Sequence, residues 1–225
     1  MSSLKRFYRN VMRNHSTVIS GRNYDRMPSL EIESHLTINT YGTFKMTNAV
    51  RPSFELTIVP QQGYRKNTFH DDCGGTVPML VASVSSENLF DVFFDLLDPL
   101  GNSVDAVLET SHCHRNNKHA DYCREQIDLP ILKSFLCTYE ELILNDGCTG
   151  IAVLNPEKEL EVQFDEHKLL FVYAHSLRSF ERILKNYSIF CNNQLHFLTE
   201  AEHIHTTSEE YMQRFCEFCT AIGTG

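Results

Sequence analysis

The sequence predicts an α+β fold, with mixed or antiparallel sheet and helices packed on one face. Three observations carry this. Short runs alternate apolar and polar residues, as in "LEIESHLTINTYGTFKMTN" (30–48). Between such runs lie segments with apolar residues at helical spacing, as in "SENLFDVFFDLLDPL" (86–100). The order three strands, helix, strand, helix occurs twice along the chain.

Taken in order, 30–48 reads as a strand, a turn at Tyr41-Gly42 and a second strand. "FELTIVP" (54–60) is a third strand, stopped by Pro60. "QQGYRKNTFHDDCGG" (61–75) is polar and carries glycines, so it reads as a long loop, a place where function often sits. "MLVASVS" (79–85) is a fourth strand, and Ser85 or Ser86 can cap the helix after it. Leu89, Phe90, Phe93, Phe94, Leu96 and Leu97 give that helix a broad apolar face, and Pro99 and Gly101 end it. "SVDAVLETS" (103–111) is a fifth strand, and 115–127 reads as irregular. Asp128 suits an N-cap, with Pro130 in the first turn, where its missing N–H costs nothing. The helix then runs through Leu132, Leu136 and Leu142 to a stop at Gly147.

The second half gives three strands, "GIAVLNP", "LEVQFDE" and "KLLFVYA", then a helix capped by Ser176 and a strand over 194–199. Thr207 and Glu210 fit a capping box for the last helix, whose inward face is Tyr211, Met212, Phe215, Phe218, Cys219 and Ile222. Aligning 80–97 with 170–187 sets Leu80 on Leu170, Ser86 on Ser176 and Phe90 on Phe180. A one-residue gap then sets Glu109 on Glu200, His112 on His203 and His114 on His205. One reading is an internal duplication of a βββαβα unit, with halves 28–146 and 147–225. Chance recurrence is the other. The domain expectation is a basic N-terminal segment (1–25) followed by one α+β domain (26–225).

The net charge of −9 argues against nucleic-acid binding, which relies on Lys and Arg neutralising phosphates. The exception is local. "LKRFYRNVMRN" (4–14) is basic with aromatics interleaved, and reads as a surface-binding arm or an ordinary solvated terminus. No apolar run nears the roughly 20 residues a membrane span needs, and no signal-peptide core is present. The expected compartment is therefore the cytoplasm, with the 8 cysteines as reduced thiols.

Two of the 11 histidines' settings point to chemistry: "ETSHCH" (109–114) and "TEAEHIH" (199–205). Alternate strand residues share a face, so His112 with His114, and His203 with His205, can each converge on a divalent transition ion such as Zn. Glu109 and Glu202 are further ligand candidates, as are Cys113, His119, Cys123 and Glu200. A metal with three protein ligands and an open position activates water. Cys113 and Ile204 read as core residues, which puts the histidines on the outer face. "HDDCGG" (70–75) offers a thiol in Cys73, a base in His70 and carboxylates in Asp71 and Asp72. "FDEHK" (164–168) bunches Asp165, Glu166 and His167 at a hairpin, where acid–base work or a plain solvated turn are both open. Cys216 and Cys219 form a CxxC in the third turn of a helix, away from the N-terminus that would activate it, and read as structural thiols.

The chain has no GxGxxG after a strand, no GxSxG and no HExxH. Two functions are expected. One is a cytoplasmic binding or interaction protein, engaging a protein partner or itself, with no nucleic acid or membrane. The other is a metal-dependent enzyme of the hydrolase class using the paired histidines.

Overall fold

The computed structural model describes residues 29–70, 75–112 and 119–224. It is an α+β fold with antiparallel sheets. The elements, in chain order, are helix α1 (Ser29–Leu36), the short strands β1 (Thr40–Tyr41), β2 (Phe44–Lys45) and β3 (Val50–Pro52), then β4 (Gly63–His70) and β5 (Thr76–Ser83). Helix α2 (Ser86–Leu96), β6 (Ser103–Thr110), β7 (Ala120–Asp128), α3 (Leu129–Thr138) and α4 (Glu140–Asn145) follow. The chain continues through β8 (Thr149–Asn155), β9 (Leu160–Phe164), β10 (Leu169–Tyr173), α5 (Arg178–Asn186), β11 (His203–His205) and α6 (Glu209–Ile222).

Seven strands form one sheet in the order β4-β5-β10-β9-β8-β6-β7, every neighbouring pair antiparallel. The meander β8–β9–β10 sits in the middle, between the hairpins β4–β5 and β6–β7. Its strands are buried on both faces, so β8 and β10 read as nearly continuous apolar runs, while β9 alternates and buries Glu161 and Gln163 on the face away from the helices. Helices α2 to α6 bring Phe93, Leu132, Leu142, Phe180 and Phe218 onto one sheet face, against Leu108, Val153, Val162 and Val172. The other face carries a smaller cluster in which Leu195 and Phe197 cover Val81, Leu169 and Phe171.

Beside this sheet, β3 and β11 pair as a separate two-stranded ribbon, with Val50 opposite His205 and Pro52 opposite His203. Arg51 is buried on it and donates to the carbonyls of Leu36, Thr47 and Val50, tying the end of α1 to the ribbon. Ala49, Val50 and Leu198 form an apolar cluster of their own there.

Several local expectations are corrected. Residues 61–75 are not a long loop, since 63–70 is β4, and 120–127 of the expected irregular segment belongs to β7. Both are edge strands, where a polar sequence protects an unpaired row of backbone groups from other chains. The first alternating run begins instead with α1, where Glu31 and His35 suit the helix dipole. The expected strand 54–60 is turn and coil, and 194–199 contains a 3₁₀ turn at Leu198–Glu200. Leu177 rather than Ser176 precedes α5, and the cap of α6 is Ser208, whose hydroxyl accepts from Tyr211 N at 3.2 Å. An internal duplication is not shown. The segment aligned with β6, 194–201, is no strand but turn, coil and the 3₁₀ turn, and β11 falls opposite residues beyond the end of β6. The basic segment lies outside the described residues. Among them, no helix is long and apolar enough to cross a membrane.

Glu161 is fully buried on the sheet face away from the helices. Its Oε1 accepts from Gln163 Nε2 at 2.5 Å, while its Oε2 has no hydrogen-bond partner. Burial pushes its carboxyl up to about 7. The folded state therefore holds a proton that the unfolded chain, with a pKa of 4.5, gives up, so stability drains away as pH rises from about 4.5 to about 7. Glu161→Gln is expected to leave stability at pH 4 unchanged and to raise it at pH 8, by at most about 3 kcal/mol. Denaturant midpoints at the two pH values check this, and an equal change at both refutes it.

Candidate metal centre

The β9–β10 turn, the end of β6, the α4–β8 turn and the ribbon meet at one end of the sheet. Their polar side chains form two clusters. In the first, one ring nitrogen from each of His167, His203 and His205 lies within 4.8 Å of the others. The ring centroids are 4.8, 4.9 and 5.0 Å apart. An ion about 2.0–2.1 Å from each of three nitrogens, in tetrahedral arrangement, holds imidazole centroids roughly 5 Å apart.

Each histidine is oriented by its Nδ1. His167 Nδ1 lies 2.8 Å from Asp165 Oδ2, His203 Nδ1 lies 2.8 Å from the Ala201 carbonyl, and His205 Nδ1 lies 2.5 Å from the Gly147 carbonyl. All three partners are acceptors, so each Nδ1 carries the hydrogen and the nitrogen left to bind an ion is Nε2. Metal-ligating histidines are usually held in this way by carboxylates and backbone carbonyls.

The β9–β10 turn aims His167. Lys168 N donates to the Asp165 carbonyl at 3.0 Å and Leu169 N to Asp165 Oδ1 at 2.8 Å. Lys168 adopts φ 65°, a left-handed conformation uncommon outside glycine. On the ribbon, β11 alternation puts His203 and His205 on one face. The expectation that this face points outward is corrected. His203 is buried, and both rings turn toward His167.

The charges divide the three imidazoles. Burial pushes His205 down to about 4, with the His167 charge adding to it, and burial also lowers His203. For His167, burial opposes the charged form, but the Asp165 carboxylate outweighs it and raises the pKa. Asp165 is held below the usual carboxylate range because His167 outweighs the effect of its burial. Burial pushes the neighbouring Lys168 down to about 8, and its Nζ donates to the Thr149 carbonyl at 2.9 Å. A small cavity of about 30 Å³, space for about two waters, is lined by His167, Lys168 and His196 among apolar side chains such as Phe44 and Val50.

The second cluster is His112, Asp146 and Cys148, again with ligand atoms within 4.8 Å of one another. It is already satisfied. Asp146 Oδ2 lies 3.1 Å from His112 Nε2 and accepts from Thr149 Oγ1 at 2.5 Å, while its Oδ1 accepts from Cys148 N at 3.3 Å. His112 Nδ1 lies 2.6 Å from Thr110 Oγ1. Although burial works the other way, the hydrogen bonds from His112 and Thr149 hold Asp146 low. Burial pushes the Cys148 thiol up, the reverse of an activated nucleophile. The clusters touch through Gly147, whose carbonyl orients His205 and whose neighbours are Asp146 and Cys148, and through Ser111 Oγ, which donates to Glu166 Oε2 at 2.8 Å.

The structure redistributes the residues singled out in the sequence. His203 and His205 are joined by His167 from "FDEHK", not by His112, which pairs with Asp146. Glu109 is buried with its carboxyl pushed well up by burial and nearby acids, and it belongs to neither cluster. Glu202 is exposed on the ribbon. Glu200 pairs with Arg65 at 2.9 Å. His119 is half-buried, Cys123 is exposed, and neither joins a cluster. His70 is exposed at the end of β4, while Asp71, Asp72, Cys73, Cys113 and His114 lie outside the described residues. Cys219 is buried and Cys216 exposed. The missed ligand, His167, did carry a signal: a histidine two residues after an aspartate in a tight turn.

Comparison with protein-family models, with curated proteins and with solved structures returns no match.

Two mutations probe the clusters. Asp146→Asn is expected to destabilise the fold by about 1–3 kcal/mol, because it puts an amide where buried donors need an acceptor, while leaving the three-histidine group its ligands. Gly147→Ala is expected to cost about 1–3 kcal/mol and to disturb both clusters, because a Cβ there falls 2.4 Å from the Ala49 carbonyl. Thermal or denaturant unfolding measures both, and a neutral Gly147→Ala would contradict the close approach.

Proposed function

We propose that this chain is a metal-dependent protein whose His167, His203 and His205 bind one divalent transition ion of the zinc class. The observation that carries this reading is the convergence of three imidazoles, each with its Nδ1 given to an acceptor and its Nε2 left for an ion. Imidazole ligands favour Zn, Co, Ni or Cu over Mg and Ca, which take oxygen. Three protein ligands leave a fourth position for water, the arrangement of catalytic rather than structural zinc. In the hydrolase reading, the ion lowers the pKa of that water and Glu166, next to His167, is the candidate base. The 30 Å³ cavity reaches the centre at His167, with neither His203 nor His205 in its lining.

Elemental analysis of tag-free protein loaded with Zn and desalted is expected to give one equivalent, and Mg is expected not to compete. Less than a tenth of an equivalent sinks the proposal. His203→Ala is expected to lose the tight site. Asp165→Asn, which removes the carboxylate behind His167 but no ligand, is expected to weaken binding about 10–100-fold.

A second reading, a protein-binding module, is favoured by apolar side chains left exposed in the segment around the ribbon: Ile38, Phe54, Leu56 and Val59, at 49%, 37%, 38% and 47% exposure. Concentration-dependent sedimentation tests self-association through them. Loss of that dependence in Phe54→Ser with Val59→Ser supports it, and a monomer at all concentrations refutes self-association.

A further inference from the structure

We infer that the β3–β11 ribbon is the lid of the three-histidine centre: the ion enters when the ribbon lifts, and once bound it locks the ribbon down. This rests on the metal reading above and adds how the site is reached and controlled.

Two of the three ligands, His203 and His205, belong to the ribbon, while His167 belongs to the main sheet's β9–β10 turn. An ion at the centre therefore bridges two separately hydrogen-bonded bodies. The centre is nearly closed, with His203 at 3% and His167 at 8% exposure. An ion that needs several bare nitrogens at once has to reach between these bodies.

The ribbon is packed down, with β3 buried throughout, but its contacts form a unit of their own. Its apolar cluster of Ala49, Val50 and Leu198 is distinct from the main core. Its polar ties to the body run mainly through one turn. Gly147 N donates to the Thr206 carbonyl at 2.8 Å, the Gly147 carbonyl holds His205, Asn48 N donates to Asn145 Oδ1 at 3.0 Å, and Thr207 Oγ1 lies 3.1 Å from His112 Nε2. Bonds within the ribbon, such as Thr206 N to the Ala49 carbonyl at 2.8 Å, survive when it moves as a unit. A unit packed separately from the main core can open as a unit of its own.

The test uses the full chain with Co(II) and Zn(II) salts alone. In stopped-flow mixing, the Co(II) uptake rate is expected to rise and then saturate with Co(II) concentration, because opening becomes limiting. Hydrogen exchange followed by NMR is expected to slow at the Gly147 and Asn48 amides about 100-fold when Zn is at 100 times its Kd. The Thr206 amide, bonded within the ribbon, should slow less. Asp165→Asn keeps every ligand and should reduce the protection in step with its weaker affinity. Uptake that stays linear in Co(II), or Gly147 exchange unchanged at saturation, overturns the lid while leaving the centre standing. No uptake at equilibrium overturns both.

Discussion

The site depends on one close backbone approach. At Gly147 the α4–β8 turn meets the ribbon so tightly that no side chain fits, with the Ala49 carbonyl 2.4 Å from where a Cβ would be. That contact lets one residue donate to Thr206 and accept from His205. It fixes how far β11 stands from the sheet and so brings its two imidazoles over the β9–β10 turn. The same turn presents Asp146 to His112 on its other side. Two buried polar clusters thus share one hinge of backbone with no side chain.

The clusters look alike as lists of ligand types and differ in charge balance. Asp146 has His112, Thr149 and the Cys148 amide as donors, with the Lys168 ammonium near enough to respond to its charge. Burying a carboxylate costs little when donors surround it in this way. The three imidazoles have the opposite arrangement: their donors point outward to acceptors and their lone pairs are left to one another. A cation completes the second arrangement and adds nothing the first lacks. That contrast, rather than the residue types, is why we propose metal at one cluster and structure at the other.

The sequence was legible where burial is two-sided or periodic. The meander β8–β10 and helices α2, α3 and α6 follow from apolar runs and 3.6-residue spacing. It was not legible at the sheet edges. β4 and β7 carry polar, partly charged residues because an edge must resist pairing, and that composition resembles a loop. The ribbon was illegible for another reason: β3 and β11 are three residues each and pair across most of the chain, a length at which alternation carries no signal. The site was half-visible. The spacing of His203 and His205 singled them out, but their partner was sought in the similar-looking "ETSHCH". Only the pairing of β11 with β3 shows that these residues face His167, because that pairing decides which way a strand of three residues points.

The strand order also sets a timetable. Hairpins β4–β5 and β6–β7 are complete early in the chain, yet they do not touch within the sheet. The meander that lies between them is made later, and β3 waits for β11 later still. During synthesis the inner edges of both hairpins stay unsatisfied until residues 149–173 emerge. Such long-range pairing is slow and leaves hydrophobic strand edges open to misassembly. Nascent chains halted before β8 should therefore be the species that most needs a chaperone, and the histidine centre forms only after the whole main sheet, with α6 alone still to come.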